Sequence, residues 1–153
     1  MNEFKMMTPA PALNEKKPIV YCEQHSFFST YAESLQEVLV ENGIKEFKKI
    51  EEAAILSVEF NQTVLATGGS AIFSKKAMNH IKSNSSVIYL EVSFEDIMDR
   101  IPDFSNRGFI KEADQTMEHA FNERESIYRE FADHIVTNNE GLESCFNKIL
   151  SVI

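Results

Sequence analysis

The chain has 153 residues, of which 43% are hydrophobic and 25% charged, and this composition is typical of one soluble globular domain. Its formal net charge of −9 argues against nucleic acid or an anionic membrane as a partner, although a local basic cluster can still hold a small anion. The two cysteines lie far apart, and neither they nor the histidines have metal-ligand spacing, so no metal site is predicted. No apolar run has the length of a membrane span, and a cytoplasmic location is expected.

The first half of the chain is predicted to contain one strand and a broken helix. Residues 1–17 are expected to form a disordered or loose leader, and residues 18–153 a single domain. The segment "PIVYC" (18–22) is a short buried strand candidate. A helical pattern then extends from residue 29 to 58, with a break at Asn42-Gly43, where glycine can cap a helix. Its second part carries an apolar stripe at helical spacing, formed by Phe47, Ile50, Ala54 and Val58.

The second half alternates strands with helices. The predicted elements are strand 63–67, helix 74–84, strand 86–92, helix 93–101, an irregular segment 102–115, helix 116–131, strand 134–137 and helix 142–152. The strand at 86–92 is nearly all apolar, as expected of a strand covered on both faces. The alternation predicts an α/β fold of three layers, with a parallel sheet between helices.

A candidate site follows the strand at 63–67, in "TVLATGGSAIF". Ligands of such sheets bind at the carboxyl ends of the strands, and Gly68, Gly69 and Ser70 occupy that end. Adjacent glycines let the backbone approach a ligand, and Ser70 is expected to open the next helix, near its positive end. The alternative is a tight turn with no ligand.

Three cationic positions are further candidates. Either Lys48 or its neighbour Lys49 must point away from the apolar stripe, and the alternative is a solvated basic pair. Arg107 lies in the irregular segment before a glycine, where it can close over a phosphate. Arg124 is flanked by two glutamates that could neutralise it. Glu51 is interpreted as a surface acid.

In this order, the segments "EFKKIEEAAILSV", "VLATGGSAIFS", "VIYLEVSFEDIMDRI", "FSNRGF" and "ERESIYREFADHIVT" resemble the shikimate kinase family. The resemblance extends from residue 34 to 153 and is nearest to the branch in which serine replaces the third glycine of a triplet. It implies a P-loop kinase-like fold and, for a complete member, phosphorylation of shikimate by ATP with Mg²⁺ in aromatic amino acid biosynthesis.

The same resemblance assigns roles to the candidate residues. Gly68, Gly69 and Ser70 match the turn that contacts the substrate's hydroxyls and carboxylate, and Arg124 matches the arginine that grips the carboxylate. The residue Lys48 stands where the family usually has a second arginine, and a lysine keeps the charge but loses the two-pronged fork. A catalytic role falls to Arg107, which matches the lid arginine that reaches the transferred phosphate.

The chain departs from the family at the ATP site, because the string G-x-x-x-x-G-K-[ST] is absent from the sequence. If 18–22 is the family's first, central strand, Glu23 and Phe28 replace glycines, Ser29 replaces the lysine, and only Thr30 fits as a cofactor-binding residue. In the rival alignment 18–22 is the second strand, whose Asp-x-Asp is lost, and the first strand and its loop are missing. We expect the first alignment, since deleting a central strand exposes two sheet edges. Either way the sheet has one strand fewer than the family.

Three functional hypotheses follow. In the first, the protein binds a small shikimate-like carboxylate, uses no cofactor and no longer transfers phosphate. In the second, it is an active shikimate kinase that uses ATP and Mg²⁺. In the third, it is an interaction domain or homo-oligomer that pairs through an exposed sheet edge. We favour the first, because each lost phosphate-binding donor lowers the rate by roughly 10²–10³-fold in analogous sites.

Overall fold

The computed structural model describes residues 19–22, 35–61, 63–101, 103 and 109–153, and for 19–22, 35 and 36 only the backbone. The predicted leader and the candidate residues Thr30 and Arg107 lie outside these ranges. The strands are β1 (Ile19–Cys22), β2 (Thr63–Ala66), β3 (Ile88–Glu91) and β4 (His134–Thr137), and the helices are α1 (Leu35–Leu56), α2 (Lys75–Asn84), α3 (Phe94–Arg100), α4 (Met117–Phe131) and α5 (Leu142–Leu150).

The described strands form two parallel pairs. In the first pair β1 runs beside β2, with Ile19 opposite Thr63. In the second pair β3 runs beside β4, with Ile88 opposite His134. Parallel strands alternating with helices confirm the predicted α/β class. Within the part of the chain that the structure describes, no strand hydrogen bonds join one pair to the other.

The position of β1 differs from the expected one. A central strand would pair with both β2 and β3, but among the described strands β1 pairs with β2 and forms no ladder with β3. This arrangement corresponds to the rival alignment, in which residues 18–22 are an outer strand. The central position was expected because exposed sheet edges are costly, but this cost does not determine the pairing of β1 in the structure.

Local signals in the sequence set the helix boundaries as predicted. The break in α1 occurs at Gly43, whose φ of 74° is one that glycine adopts without a steric penalty. The side chain of Ser93 accepts a hydrogen bond from the backbone N–H of Asp96 at the start of α3, at 3.1 Å. Similarly, Thr116 caps α4 by accepting from the N–H of His119, at 3.1 Å.

The main core connects the two strand pairs through shared helices. It is a cluster of buried residues from α1, α2, α4 and the turn before α2, namely Ile55, Ala71, Ile72, Ala77, Met78, Ile81 and Phe131. Leu65 of β2 and Val87, which immediately precedes β3, both pack against this cluster. The predicted stripe on α1 is largely confirmed, since Phe47 and Ala54 are each only 2% exposed.

The strands are less covered than predicted. Val64 of β2 is 52% exposed, and Leu90 of β3 is 43% exposed. The expectation that residues 86–92 are covered on both faces is therefore wrong at Leu90. Among the described helices, none combines the length and apolarity needed to cross a membrane.

Candidate functional site

The turn at the carboxyl end of β2 is built around a buried serine. Gly68 is buried, Gly69 is exposed, and Ser70 is 9% exposed. The Ser70 hydroxyl donates a hydrogen bond to the carboxylate Oε1 of Glu51, at 2.7 Å. Ser70 stands at the N-cap position of a short 3₁₀ helix (Ala71–Phe73), where its side chain makes no capping hydrogen bond. The α-helix α2 begins later than predicted for Ser70, and Ser74 caps it by accepting from the N–H of Ala77.

Glu51 is a functional candidate that the sequence interpretation missed. It is 4% exposed, so its interpretation as a surface acid is wrong. Burial raises the pKa of its carboxyl from 4.5 to about 7, against the lowering effects of the Ser70 hydrogen bond and the Lys48 charge. A signal was present, because Glu51 lies four residues after Phe47 and three before Ala54, on the apolar stripe itself.

The structure distinguishes the two adjacent lysines. Lys49 is exposed, and its Nζ forms an ion pair with Oε2 of Glu46 at 2.8 Å. The side chain of Lys48 is half-buried, and its Nζ lies 4.4 Å from the ring centroid of Phe73. Of the two lysines, Lys48 is therefore the one that lies beside Phe73.

Arg124 supplies a second, buried cation. It is 6% exposed, and its Nη1 donates to the carbonyl of Ala120 at 2.8 Å while its Nη2 donates to the carbonyl of Ile110. Its Cζ lies 4.2 Å from the ring centroid of Phe109 and 5.1 Å from that of Phe73. Burial lowers the pKa of the Arg124 guanidinium below its ordinary value.

The flanking glutamates form no ion pair with Arg124 in the described structure, although the charge of Glu123 raises the pKa of the guanidinium against the larger effect of burial. The Oε1 of Glu125 forms an ion pair with Arg129 at 3.0 Å, and Glu123 accepts a hydrogen bond from Gln115 at 2.8 Å. Among the residues that the structure describes, no carboxylate forms an ion pair with Arg124. The site thus holds a buried positive charge stabilised by carbonyls and rings.

Tyr128 connects the site to the second strand pair. Its hydroxyl donates to the carbonyl of Gly69 at 3.0 Å, and its ring stacks on Tyr89 of β3 with centroids 5.1 Å apart. Burial raises the pKa of the Tyr128 hydroxyl, while the nearby Arg124 charge lowers it. The sequence interpretation did not single out Tyr128, although it lies four residues after Arg124, on the same face of a helix.

The assembled site has a definite chemistry. Two cations share the ring of Phe73, and beside them lie a carboxyl group with a pKa near neutrality, two hydroxyls and an exposed backbone turn. Such groups suit a small ligand that carries a carboxylate and hydroxyls. In the described ranges, no group of three or more His, Cys, Asp or Glu side chains is placed to hold a metal ion.

Comparison with known proteins relates this chain to shikimate kinases. The shikimate kinase family model matches residues 21–153. The shikimate kinase of Francisella tularensis subsp. novicida is 33% identical over 112 residues, which cover 70% of this chain and 64% of that protein. The shikimate kinase of Chromobacterium violaceum is 30% identical over 125 residues, covering 72% and 68%. The chain therefore spans less than two thirds of the Francisella relative.

Solved structures show the same fold. Shikimate kinase from Acinetobacter baumannii, in complex with shikimate, superposes with a TM-score of 0.76 at 23% identity, over 88% of this chain and 78% of that chain. Shikimate kinase from Aquifex aeolicus gives a TM-score of 0.73 at 25% identity, over 88% and 80%.

Proposed function

This chain belongs to the shikimate kinase family, and we propose that it binds a small hydroxylated carboxylate, with shikimate as the first candidate, without transferring phosphate from ATP. The observation that carries the proposal is Arg124, a cation that is 6% exposed and has no carboxylate ion-pair partner in the described structure.

A carboxylate ligand would compensate the cost of this buried charge. Removing a guanidinium from water is unfavourable unless hydrogen bonds and an opposite charge replace the lost solvation. Two carbonyls and two rings already compensate part of the cost at Arg124. A ligand carboxylate would add a charge-assisted hydrogen bond, and Lys48, at the same Phe73 ring, would add a second positive charge.

The remaining groups favour a ligand with hydroxyls. Near neutral pH the Glu51 carboxyl exists in both protonation states, because its pKa is about 7, so it can donate or accept a hydrogen bond. Gly69 is exposed beside it and presents backbone that a ligand hydroxyl can reach. The resemblance assigns the same turn, Gly68 to Ser70, to substrate binding.

Loss of phosphoryl transfer is proposed from the sequence. Phosphate binding in this fold requires a glycine-rich loop with a lysine, and G-x-x-x-x-G-K-[ST] is absent from these 153 residues. If residues 18–22 are the family's first strand, Glu23 and Phe28 replace the glycines, and a carboxylate and a bulky ring do not fit an ATP phosphate. If they are its second strand, the first strand and its phosphate loop are missing from these residues. For the case in which the protein is active with ATP and Mg²⁺, Arg107 keeps its role by resemblance as a lid residue. Thr30 keeps a cofactor-binding role only if residues 18–22 are the family's first strand.

Calorimetric titration with shikimate tests the binding part. We expect binding by the full chain and a weaker affinity for the methyl ester of shikimate, which lacks the charge. The substitution Arg124→Gln should weaken shikimate binding by roughly 10- to 150-fold, since a hydrogen bond to a charged group contributes about 1.5–3 kcal/mol. Circular dichroism of the variant checks that it folds.

The adjacent lysines provide a matched control. Lys48→Met should weaken shikimate binding, whereas Lys49→Met, which removes the same charge from an exposed ion pair, should leave it nearly unchanged. Equal effects of the two substitutions, or equal affinities for shikimate and its methyl ester, would contradict the proposed carboxylate site.

A coupled ADP-release assay with ATP, Mg²⁺ and shikimate tests the loss of catalysis. We expect no turnover above that of buffer. Shikimate-dependent ADP release that Arg124→Gln abolishes would instead establish the active kinase and overturn this part of the proposal, while leaving the carboxylate site intact.

A further inference from the structure

The feature that carries this inference is the ring of Phe73, which lies against both cations of the candidate site. The Nζ of Lys48 is 4.4 Å from the ring centroid, and the Cζ of Arg124 is 5.1 Å from it. A cation within about 6 Å of a ring centroid is attracted by the negative face of the ring. One side chain therefore connects a lysine of α1 with an arginine of α4.

The backbone that carries Phe73 is fixed to α1. Phe73 ends the short 3₁₀ helix after the glycine turn, and its N–H donates to the carbonyl of Ser70 at 3.0 Å. The serines on either side of this helix donate to adjacent glutamates of α1. Ser70 donates to Glu51 at 2.7 Å, and Ser74 donates to Glu52 at 2.5 Å. The ring also packs against the main core cluster, so it is a rigid partner for flexible cationic side chains.

An aromatic ring holds a cation without neutralising it. A carboxylate partner would cancel the charge and accept its hydrogen bonds, whereas the ring attracts the cation through its face. Of the described carboxylates, none forms an ion pair with Lys48 or Arg124. A guanidinium also has more N–H groups than the two carbonyl contacts of Arg124 use. The ring of Phe73 therefore leaves both positive charges available to an anion.

The two cations depend on Phe73 to different degrees. Arg124 is also held by two carbonyls and by the ring of Phe109, whose centroid is 4.2 Å from its Cζ. Lys48 has a flexible four-carbon side chain, and fixing such a chain on ligand binding costs conformational entropy. Its contact with Phe73 orders the lysine before a ligand arrives, which lowers this cost. Loss of the ring should therefore release Lys48 more than Arg124.

We propose that Phe73 is the positioning residue of the carboxylate site and determines its preference for an anionic ligand. Its ring holds the ammonium of Lys48 and the guanidinium of Arg124 in place, with their charges open to a ligand carboxylate. This inference rests on the proposed function and adds to it the residue that places the two charges.

Phe73→Leu tests the proposal, because leucine keeps an apolar side chain against the core but has no aromatic face. In calorimetry the affinity for shikimate should fall at least threefold, within the range of about 2- to 30-fold that cation–π contacts provide. The ratio of the affinities for shikimate and its methyl ester should fall as well, since the uncharged ester gains little from either cation. A shikimate affinity within threefold of the parent's would overturn the proposal.

Fluorination separates the charge of the ring face from its packing. Mono-, di- and trifluorinated phenylalanine at position 73, introduced by nonsense suppression, keep the ring and progressively remove the negative charge of its face. The affinity for shikimate should fall stepwise along this series, while the Tm stays near that of the parent. Equal affinities along the series would show that Phe73 acts through packing alone and would overturn the proposal.

Phe60 provides a matched control. It packs against the same core cluster as Phe73, and its ring contacts that of His80 with centroids 5.4 Å apart. Phe60→Leu makes the same chemical change away from the two cations and should leave the affinity for shikimate unchanged. Equal losses of affinity at positions 60 and 73 would indicate a general loosening of the core and would overturn the proposal.

NMR of the free protein tests the lysine contact without any ligand. The ring current of Phe73 should move the ε-methylene proton signals of Lys48 upfield, and Lys48→Met identifies these signals by removing them. The shift should disappear in Phe73→Leu and persist in Phe60→Leu, and a shift that does not depend on Phe73 would overturn the proposal. No shikimate binding by the parent would overturn the proposed function together with this inference, whereas binding that does not depend on Phe73 would overturn this inference alone.

Discussion

The buried carboxyl of Glu51 should make the stability of the protein depend on pH in a defined direction. Its pKa rises from 4.5 to about 7 on folding, so the folded protein binds a proton more tightly than the unfolded chain. The contribution of Glu51 to stability is therefore most favourable below pH 4.5 and is lost as the pH rises to about 7. Each pKa unit corresponds to about 1.4 kcal/mol, so this one carboxyl lowers the free energy of unfolding by about 3 kcal/mol above pH 7.

Glu51→Gln isolates this effect. Glutamine keeps the size of the side chain and an oxygen that can accept the Ser70 hydroxyl, but it cannot ionise. In urea unfolding between pH 4 and pH 8, the variant and the parent should have nearly equal stability at the acid end. Above pH 7 the variant should be more stable by about 3 kcal/mol, and every other titrating group cancels in the difference.

Two results would refute this reasoning. A stability difference that does not change between pH 4.5 and pH 7 would show that Glu51 is not desolvated in the folded protein. The second concerns Ser70, whose hydrogen bond to Glu51 lowers the carboxyl pKa. Ser70→Ala should therefore raise the midpoint of the Glu51 titration followed by NMR, and a lower midpoint would contradict the assigned contact.

Three further substitutions test local features. Gly43→Ala should lower stability by about 1–3 kcal/mol in thermal unfolding through backbone strain, because its φ of 74° with ψ of 166° is a conformation almost confined to glycine. No atom lies within 4 Å of the new methyl group to add a steric cost, and an unchanged Tm would contradict this. Gly69→Ala should weaken shikimate binding in calorimetry, since its methyl would lie 3.0 Å from the Tyr128 hydroxyl, and Tyr128→Phe should relieve the contact. Thr116→Ala should cost about 1 kcal/mol in urea unfolding through the lost helix cap, and Thr116→Ser should restore it.

Features that depend on neighbours in sequence could be predicted. Ser93 and Thr116 cap helices with N–H groups three residues away, and Gly43 supplies a backbone conformation that other residues disfavour. The alternation of apolar segments similarly predicted the four described strands. Both partners of each of these interactions lie within a few residues of each other, so the sequence pattern alone is enough to predict them.

The chemistry of the site depends on contacts between distant segments. The hydrogen bond that defines the role of Glu51 comes from Ser70, 19 residues later, and Tyr128 reaches the carbonyl of Gly69 across 59 residues. Charge pattern alone placed Glu51 on the surface, because charged residues of both signs lie beside it in "KKIEE". The apolar spacing of Phe47 and Ala54 was the better signal, since burial on a helix follows the face and not the residue type.

The proposed carboxylate site takes its described contacts from helices and one turn. A central position for β1 was expected because a sheet without a ladder between β2 and β3 leaves unpaired backbone groups along two strand edges. In the structure the helices hold both pairs, through the core around Ile55 and Phe131. The site itself uses α1, α4 and the turn after β2, so none of its described contacts requires a ladder between β2 and β3. Shikimate binding should therefore not depend on the exposed side chain of Val64, and a folded Val64→Asp variant should bind shikimate with the parent's affinity in calorimetry. A large loss of affinity would contradict this separation of the site from the strand.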